Sequence, residues 1–363
     1  MLSVGHTLPG LYCLACLRDL GAEVIRVQRL AEGGSGAAYA GTAREFPLRS
    51  LAAGTHTLSL DLKRAAGREL FLRLAEGAQV VLEGFRPGVA ARLGIDFEVL
   101  SPRNPALVYA AISGYGQAGE RRAGHDLNYL AETGALGLWD APAPPGVTFA
   151  DGLAGLAAAL NVVAALHAAS RTGAGQFLDL AIVDGPLFLL GAELEHHFRS
   201  GESRGPGATH LSGRFPWYGV HETRDGGRVA VGAVEPAFYA ELCAGLGLPE
   251  WSGRQHPEGP ELAASREAFA RAFASHSREE LLARFAGRDA CLSPVRRVSE
   301  VADSDLAGRA LREGAKGEKL VRSPVRLPPA PLAAGRSGAA LLEGLGLATP
   351  EIEGLLRDGT LGD

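Results

Sequence analysis

Pro9-Gly10-Leu11-Tyr12-Cys13-Leu14-Ala15-Cys16-Leu17-Arg18-Asp19-Leu20 is an almost unbroken apolar run, and Gly21-Ala22-Glu23-Val24-Ile25-Arg26-Val27 follows it directly. A proline at the start of a helix has a backbone angle already suited to it and lacks only an N–H that the first turn leaves unbonded anyway. Gly21 is a stop signal. The stretch therefore reads as a helix over 9–20 and a short strand over 23–27.

The same alternation continues outward. Leu58 to Leu60 is extended, and Arg64 to Glu76 sets Leu70, Phe71 and Leu74 on one helical face before Gly77 ends it. Gln79 to Glu83 is the next strand, Phe85-Arg86-Pro87-Gly88 a turn, and Leu107 to Ser113 a further strand closing in Gly114-Tyr115-Gly116. Strands that alternate with helices predict βαβ units on a mainly parallel sheet, an α/β, Rossmann-like large domain. No GxGxxG follows a strand in this half, which argues against an ordinary NAD site.

The second half predicts a buried helix over Gly152 to Ala169, a strand over Phe177 to Ile182 and a helix over Asp184 to Arg199. Gly201 to Gly213, rich in Gly, Ser and Pro, reads as a linker. Trp217 to Glu222 and Arg228 to Val234 flank Asp225-Gly226, a hairpin signal. Helical patterns then cover Ala237 to Gly245, Glu261 to Ser275 and Arg278 to Phe285. These predict a smaller α+β domain over 201–326, after a large domain over 1–200. A Pro/Ala connector, Leu327 to Ala334, opens a return to the large domain over 327–363, with one more helical pattern.

With 363 residues, 46% hydrophobic and 21% charged, the chain has material for a sizeable core and is not of disordered composition. A formal charge of -5 supplies no general attraction to nucleic acid or to an anionic membrane, so an anionic ligand needs local basic residues. Cys13, Cys16, Cys243 and Cys291 are too few for a disulfide framework, and a cytoplasmic location is expected. Cys13 and Cys16 have CxxC spacing but sit in an apolar helix with no second ligand pair, so a structural role is expected and no metal. His196 and His197 are adjacent and equally lack partners. Gly152 to Ala169 is near the lower length limit for a membrane span; its Asn161 and His167 favour a globular helix.

Chemistry concentrates between Arg122 and Ala169. Ala123-Gly124-His125-Asp126 marks one helix start, and Phe149-Ala150-Asp151 precedes another across a proline-rich loop, Ala141 to Gly146. Free N–H groups and the dipole at a helix start favour an anion. His125 in a turn can present its imidazole at a cleft. Asp151 and Asp126 also suit N-caps, and for Asp126 that role is retained, its backbone N–H counting for more than its carboxylate. Glu235, before Pro236, reads as an exposed strand-end carboxylate or as a group that orients a catalytic histidine. Lys63, Arg86 and Arg92, at or near strand ends, read as solvated surface or as a phosphate site.

Several of these segments together resemble CoA-transferase family III. They are residues 17–27, Leu60-Asp61-Leu62-Lys63, Phe85-Arg86-Pro87-Gly88, Asn104-Pro105, Ile112-Ser113-Gly114-Tyr115-Gly116-Gln117, Ala150-Asp151, Arg171-Thr172-Gly173-Ala174-Gly175-Gln176 and Val231-Gly232-Ala233-Val234-Glu235-Pro236. Within that family, residues 123–130 and Ala233-Val234-Glu235-Pro236 with Phe238-Tyr239 are similar to the α-methylacyl-CoA racemase branch. The resemblance implies racemisation or epimerisation of a 2-methyl-branched acyl-CoA through an enolate. His125 and Asp151 are the implied acid–base pair, Glu235 supports His125, and the N–H near Asp126 stabilises the thioester oxygen. It also implies CoA binding by Lys63, Phe85, Arg86 and Arg92, no cofactor apart from the CoA of the substrate, and an interlocked homodimer.

The chain departs from the family where a basic segment is usual: it has Ala53-Gly54-Thr55-His56-Thr57, with Arg44 and Arg49 as the nearest substitutes. Met1 to Gly5 is also expected to form only the end of the family's first strand. The sequence leaves two rivals. One is a CoA-transferase with Asp151 as the acylated nucleophile, a branch not expected to carry His125. The other is a catalytically silent CoA-binding protein.

Overall fold

The computed structural model of the protein describes residues 1–5, 7–30, 49–140, 143–326, 332 and 334–362. Arg44 and most of the connector at 327–334 lie outside them.

Among the described residues, one sheet contains β1 (Leu2–Val4), β2 (Ile25–Gln28), β3 (His56–Leu60), β4 (Val80–Glu83), β5 (Val108–Ser113) and β6 (Gln176–Ala181). Their spatial order is β3-β2-β1-β4-β5-β6, all parallel, and a short strand, Leu361–Gly362, runs antiparallel along β3. This is the doubly wound order, which reverses direction between β1 and β4. β4 and β5 are buried at every position, as strands covered on both faces must be. Leu58, Leu60, Phe71, Val81, Ile95 and Tyr109 fill the core on one side, and Leu341, Leu342, Ile352 and Leu355 of the last helices join it.

On the other side the helix Leu8–Asp19 packs along the helix Phe149–Thr172. Gly155 makes that approach possible, because a Cβ there would lie 2.4 Å from the Tyr12 Cβ and 2.7 Å from the Pro9 carbonyl oxygen. Alanines at 154, 158, 165 and 169 continue the buried face. The expectation of a fully buried helix is corrected here. Its other face stands in the open, with Leu156 45%, Leu160 71% and Val163 42% exposed. A helix apolar all round carries no pattern that tells a covered face from an uncovered one.

Two compact units divide the chain. The first holds Met1–Thr133, Pro145–Leu189 and Gly308–Asp363; the second holds Gly134–Pro144 and Leu190–Ala307. Gly134–Pro144, expected in the large domain, falls in the second unit, and the limits differ from the sequence-based ones in three further places. The helix expected over 184–199 breaks at Leu190 into Asp184–Leu189 and Gly191–Ser200, and the second piece joins the second unit. Gly201 to Gly213 is no linker between units but part of the second, where Arg204 grips the Glu193 carboxylate with two bonds of 2.9 Å and the buried Thr209 bonds Ser212. Residues 308–326 belong to the first unit. There the buried carboxylate of Asp19 accepts from Arg312 at 2.6 Å and from the Ser323 hydroxyl at 2.7 Å.

In the second unit β7 (Tyr218–Glu222), β8 (Arg228–Gly232) and β9 (Leu292–Pro294) form an antiparallel sheet. The β7–β8 turn carries Gly226 at φ +73°, which the Asp-Gly signal anticipates. Phe215, Trp217, Tyr239, Phe269 and Phe273 make the core of this unit.

Candidate active site

In open α/β sheets the crevice for a ligand opens beyond the strand ends where the strand order reverses. Here a cavity of about 220 Å³ lies there, lined by Thr7, Leu8 and Pro9 after β1 and by Gly84, Phe85 and Arg86 after β4. Glycines bring the two strand ends together. A Cβ on Gly84 would stand 2.3 Å from the Gly5 carbonyl oxygen, and one on Gly5 would strike the Phe85 ring at 2.7 Å. Gly5 also has φ +65°, a left-handed conformation. These contacts do the positioning that a GxGxxG turn does in dinucleotide folds.

His125 and Asp151 line this same cavity. His125 is the N-cap of the helix Asp126–Glu132, with φ -127° and ψ 173°, and Asn128 Oδ1 accepts its backbone N–H at 3.0 Å. Capping fixes the backbone that carries the imidazole. One turn further, the Tyr129 ring packs against Gly114 and Gly124 and its hydroxyl donates to the Gly124 carbonyl at 3.0 Å.

Asp151 is the third residue of the helix Phe149–Thr172, whose N-cap is Thr148. Asp126 Oδ1 accepts the Asp151 backbone N–H at 3.0 Å. Neither aspartate is the N-cap of its own helix. The Asp126 carboxylate, and not only its N–H, has a structural role, because it satisfies a free donor of a different helix. Burial, and then the negative charge of Asp126, raise the Asp151 carboxyl to about 6. A carboxyl so placed takes up and gives back a proton near neutral pH.

The residues expected to hold CoA divide. Phe85 and Arg86 line the cavity. Lys63 is exposed in the turn after β3, its N–H bonded to Asp61, and Arg92 is exposed on the helix Val89–Leu93. Glu235 is exposed in the second unit, as N-cap of the helix Pro236–Leu246. In the stretch that departs from the family, His56 is occupied by the Arg336 N–H at 2.9 Å and by Glu23 at 3.3 Å.

Sequence reasoning passed over Arg121, Arg122 and Ser113. All three line the cavity. Arg122 pairs with Glu120 and Glu132 and lies over the Tyr115 ring. The buried Ser113 hydroxyl has no partner. The Arg-Arg pair two residues before Gly124-His125 was the signal available for the first two. Among the described residues no group of three or more His, Cys, Asp or Glu is placed to hold a metal ion.

A family model for CoA-transferase family III matches residues 1–338. The chain is 37% identical over 294 residues to the α-methylacyl-CoA racemase of Mus musculus, covering 79% of this chain and 74% of that protein. To the succinyl-CoA–D-citramalate CoA-transferase of Chloroflexus aurantiacus it is 31% identical over 261 residues, 69% of this chain and 64% of the other. The crystal structure of a CAIB/BAIF family protein from Brucella suis superposes with a TM-score of 0.77 at 27% identity, over 95% of this chain and 97% of that one. A fold in doubly wound order, a histidine and an aspartate lining the cavity at its reversal point and a match across nearly the whole length agree: the chain belongs to CoA-transferase family III.

Proposed function

We propose that the protein racemises or epimerises 2-methyl-branched acyl-CoA thioesters at the α-carbon. One observation carries this reading: an imidazole and a carboxyl of raised affinity for protons line one cavity. Inverting a carbon beside a thioester requires a proton to leave one face and another to reach the opposite face. His125 and Asp151 serve as base and acid and exchange roles with the configuration of the substrate. The first N–H groups of the helix Asp126–Glu132 have no acceptor within the helix and are the donors for the enolate oxygen. Proton transfer of this kind calls for no metal or redox cofactor, and CoA enters as part of the substrate. Phe85 and Arg86 hold it from the cavity, with Lys63 and Arg92 on the phosphates.

The activities of the relatives support the reading unequally, since a transferase is among them. In that second reading the Asp151 carboxylate attacks the thioester. Chiral analysis of one enantiomer of a 2-methylacyl-CoA, incubated with and without an acceptor acid, separates the two. Interconversion without acceptor acid supports racemisation; turnover only with a second acid supports transfer.

The assembly we propose is a homodimer in the cytoplasm. Its support is the apolar surface of the first unit, where Leu160 is 71% and Phe188 84% exposed in the single chain. By length and composition the helix Phe149–Thr172 could also cross a membrane. A second copy is the better cover, because Ala154, Gly155 and Ala158 on its other face already pack inside the unit.

A further inference from the structure

A second cavity, of about 310 Å³, lies in the first unit and has the opposite electrostatic character from the substrate cavity. It is lined by Glu83, Asp96 and Glu98, by the rings of Phe97, Tyr109 and Phe177, and by Gln117, with no lysine or arginine among the lining residues. The three rings touch one another, with centroids 5.8 to 6.1 Å apart. Tyr109 is 1% exposed and its hydroxyl has no partner; Asp96 Oδ1 and Gln117 Nε2 are likewise buried and unpartnered. Buried polar atoms are ordinarily satisfied, so two unpartnered acceptors in one cavity, the Tyr109 hydroxyl and Asp96 Oδ1, point to a donor between them, while Gln117 Nε2, itself a donor, takes no part.

We propose that this cavity binds a cationic nitrogen group, an ammonium or guanidinium, supplied by a free amine or by a Lys or Arg side chain of a second copy of the chain. The carboxylates face it as charge partners, the aromatic faces attract a cation, and the Tyr109 hydroxyl and Asp96 Oδ1 accept its N–H groups. A divalent metal fits poorly, because no group of three metal-ligating side chains is assembled among the described residues. Glu83 is 4% exposed, and burial drives its carboxyl up to about 7, so a cation beside it would restore the ionised form. The proposal stands independently of the reaction at His125 and Asp151.

Calorimetric titration of the full chain with benzylammonium, and with benzyl alcohol as the neutral isostere, tests it. Asp96→Asn and Tyr109→Phe serve as variants, and light scattering over a dilution series reads the oligomeric state. A free-amine site shows saturable one-to-one binding of benzylammonium only, weakened at least tenfold in Asp96→Asn and measurably in Tyr109→Phe. A site filled by a second copy shows no amine binding, but Asp96→Asn shifts the dimer midpoint at least tenfold to higher concentration. Amine binding indifferent to charge or to both substitutions, or neither binding nor a shifted midpoint, means that water alone fills the cavity, and the proposal falls.

Discussion

The Asp126 carboxylate accepts the backbone N–H of Asp151 at 3.0 Å, so two helix starts are tied through one hydrogen bond beside the cavity that His125 and Asp151 line. That bond places one acid against another and makes the proton affinity of Asp151 depend on its neighbour. Replacing Asp126 with Asn keeps an oxygen acceptor for the N–H but removes the charge. The Asp151 carboxyl then drops below about 6. In the direction in which Asp151 removes the proton, the acidic limb of the pH–rate profile should move to lower pH in Asp126→Asn. An unmoved limb would show that the charge of Asp126 is not felt at Asp151.

Asp151 also links activity to stability. Its folded-state pKa is raised, so the fold disfavours the ionised form. The stability this group permits is fully present below its unfolded-state value and is lost as pH rises through about 6. Asp151→Asn, neutral at all pH, should therefore raise Tm at pH 8, by an amount corresponding to about 1–3 kcal/mol, and change it little at pH 4. The same variant should lose racemisation. An equal gain at both pH values in thermal melts would contradict the electrostatic origin.

Gly155 supports the scaffold of the site. Gly155→Ala puts a methyl 2.4 Å from the Tyr12 Cβ, forcing apart the helices Leu8–Asp19 and Phe149–Thr172. Overpacking of this kind costs about 1–3 kcal/mol, so thermal melting should show a fall of several degrees. The accompanying Tyr12–Thr148 contact of 3.2 Å, at the N-cap of the helix carrying Asp151, would loosen with it. Activity should fall along with stability, since Asp151 moves.

The apolar surface predicts an association. Leu160→Glu or Phe188→Glu introduces a charge at a position already exposed in the single chain. A variant of this kind should fold, and light scattering should find it monomeric under conditions in which the parent protein forms the proposed dimer. A dimer of undiminished strength would place the interface elsewhere.

Much of the large unit could be read from periodicity, because strands such as Val108–Ser113 are apolar up to their last residue and the helix Ala65–Glu76 has a regular buried face closed by Gly77. The His125 and Asp151 pair was legible as two residue types at two helix starts. Their sharing of one cavity was implied only by the family resemblance and not by the residues themselves, since it depends on strand order and on the approach of Gly5 to Gly84. The role of the Asp126 carboxylate was missed for a similar reason: a cap normally serves its own helix, and this one serves a helix 25 residues away. Short elements such as Leu292–Pro294 and Leu361–Gly362 are held by long-range pairing and carry no local pattern. The assignment of 308–326 to the first unit rests on buried bonds to Asp19, which composition does not announce.

The most direct measurement is deuterium incorporation at the α-carbon of a single 2-methylacyl-CoA in D2O, with no acceptor acid, for the parent protein and for His125→Ala. The account predicts label in both enantiomers with the parent protein, a loss of about 10²–10⁴-fold in His125→Ala, and unchanged CoA affinity. Absence of label with the parent protein, or full exchange without the imidazole, would contradict it.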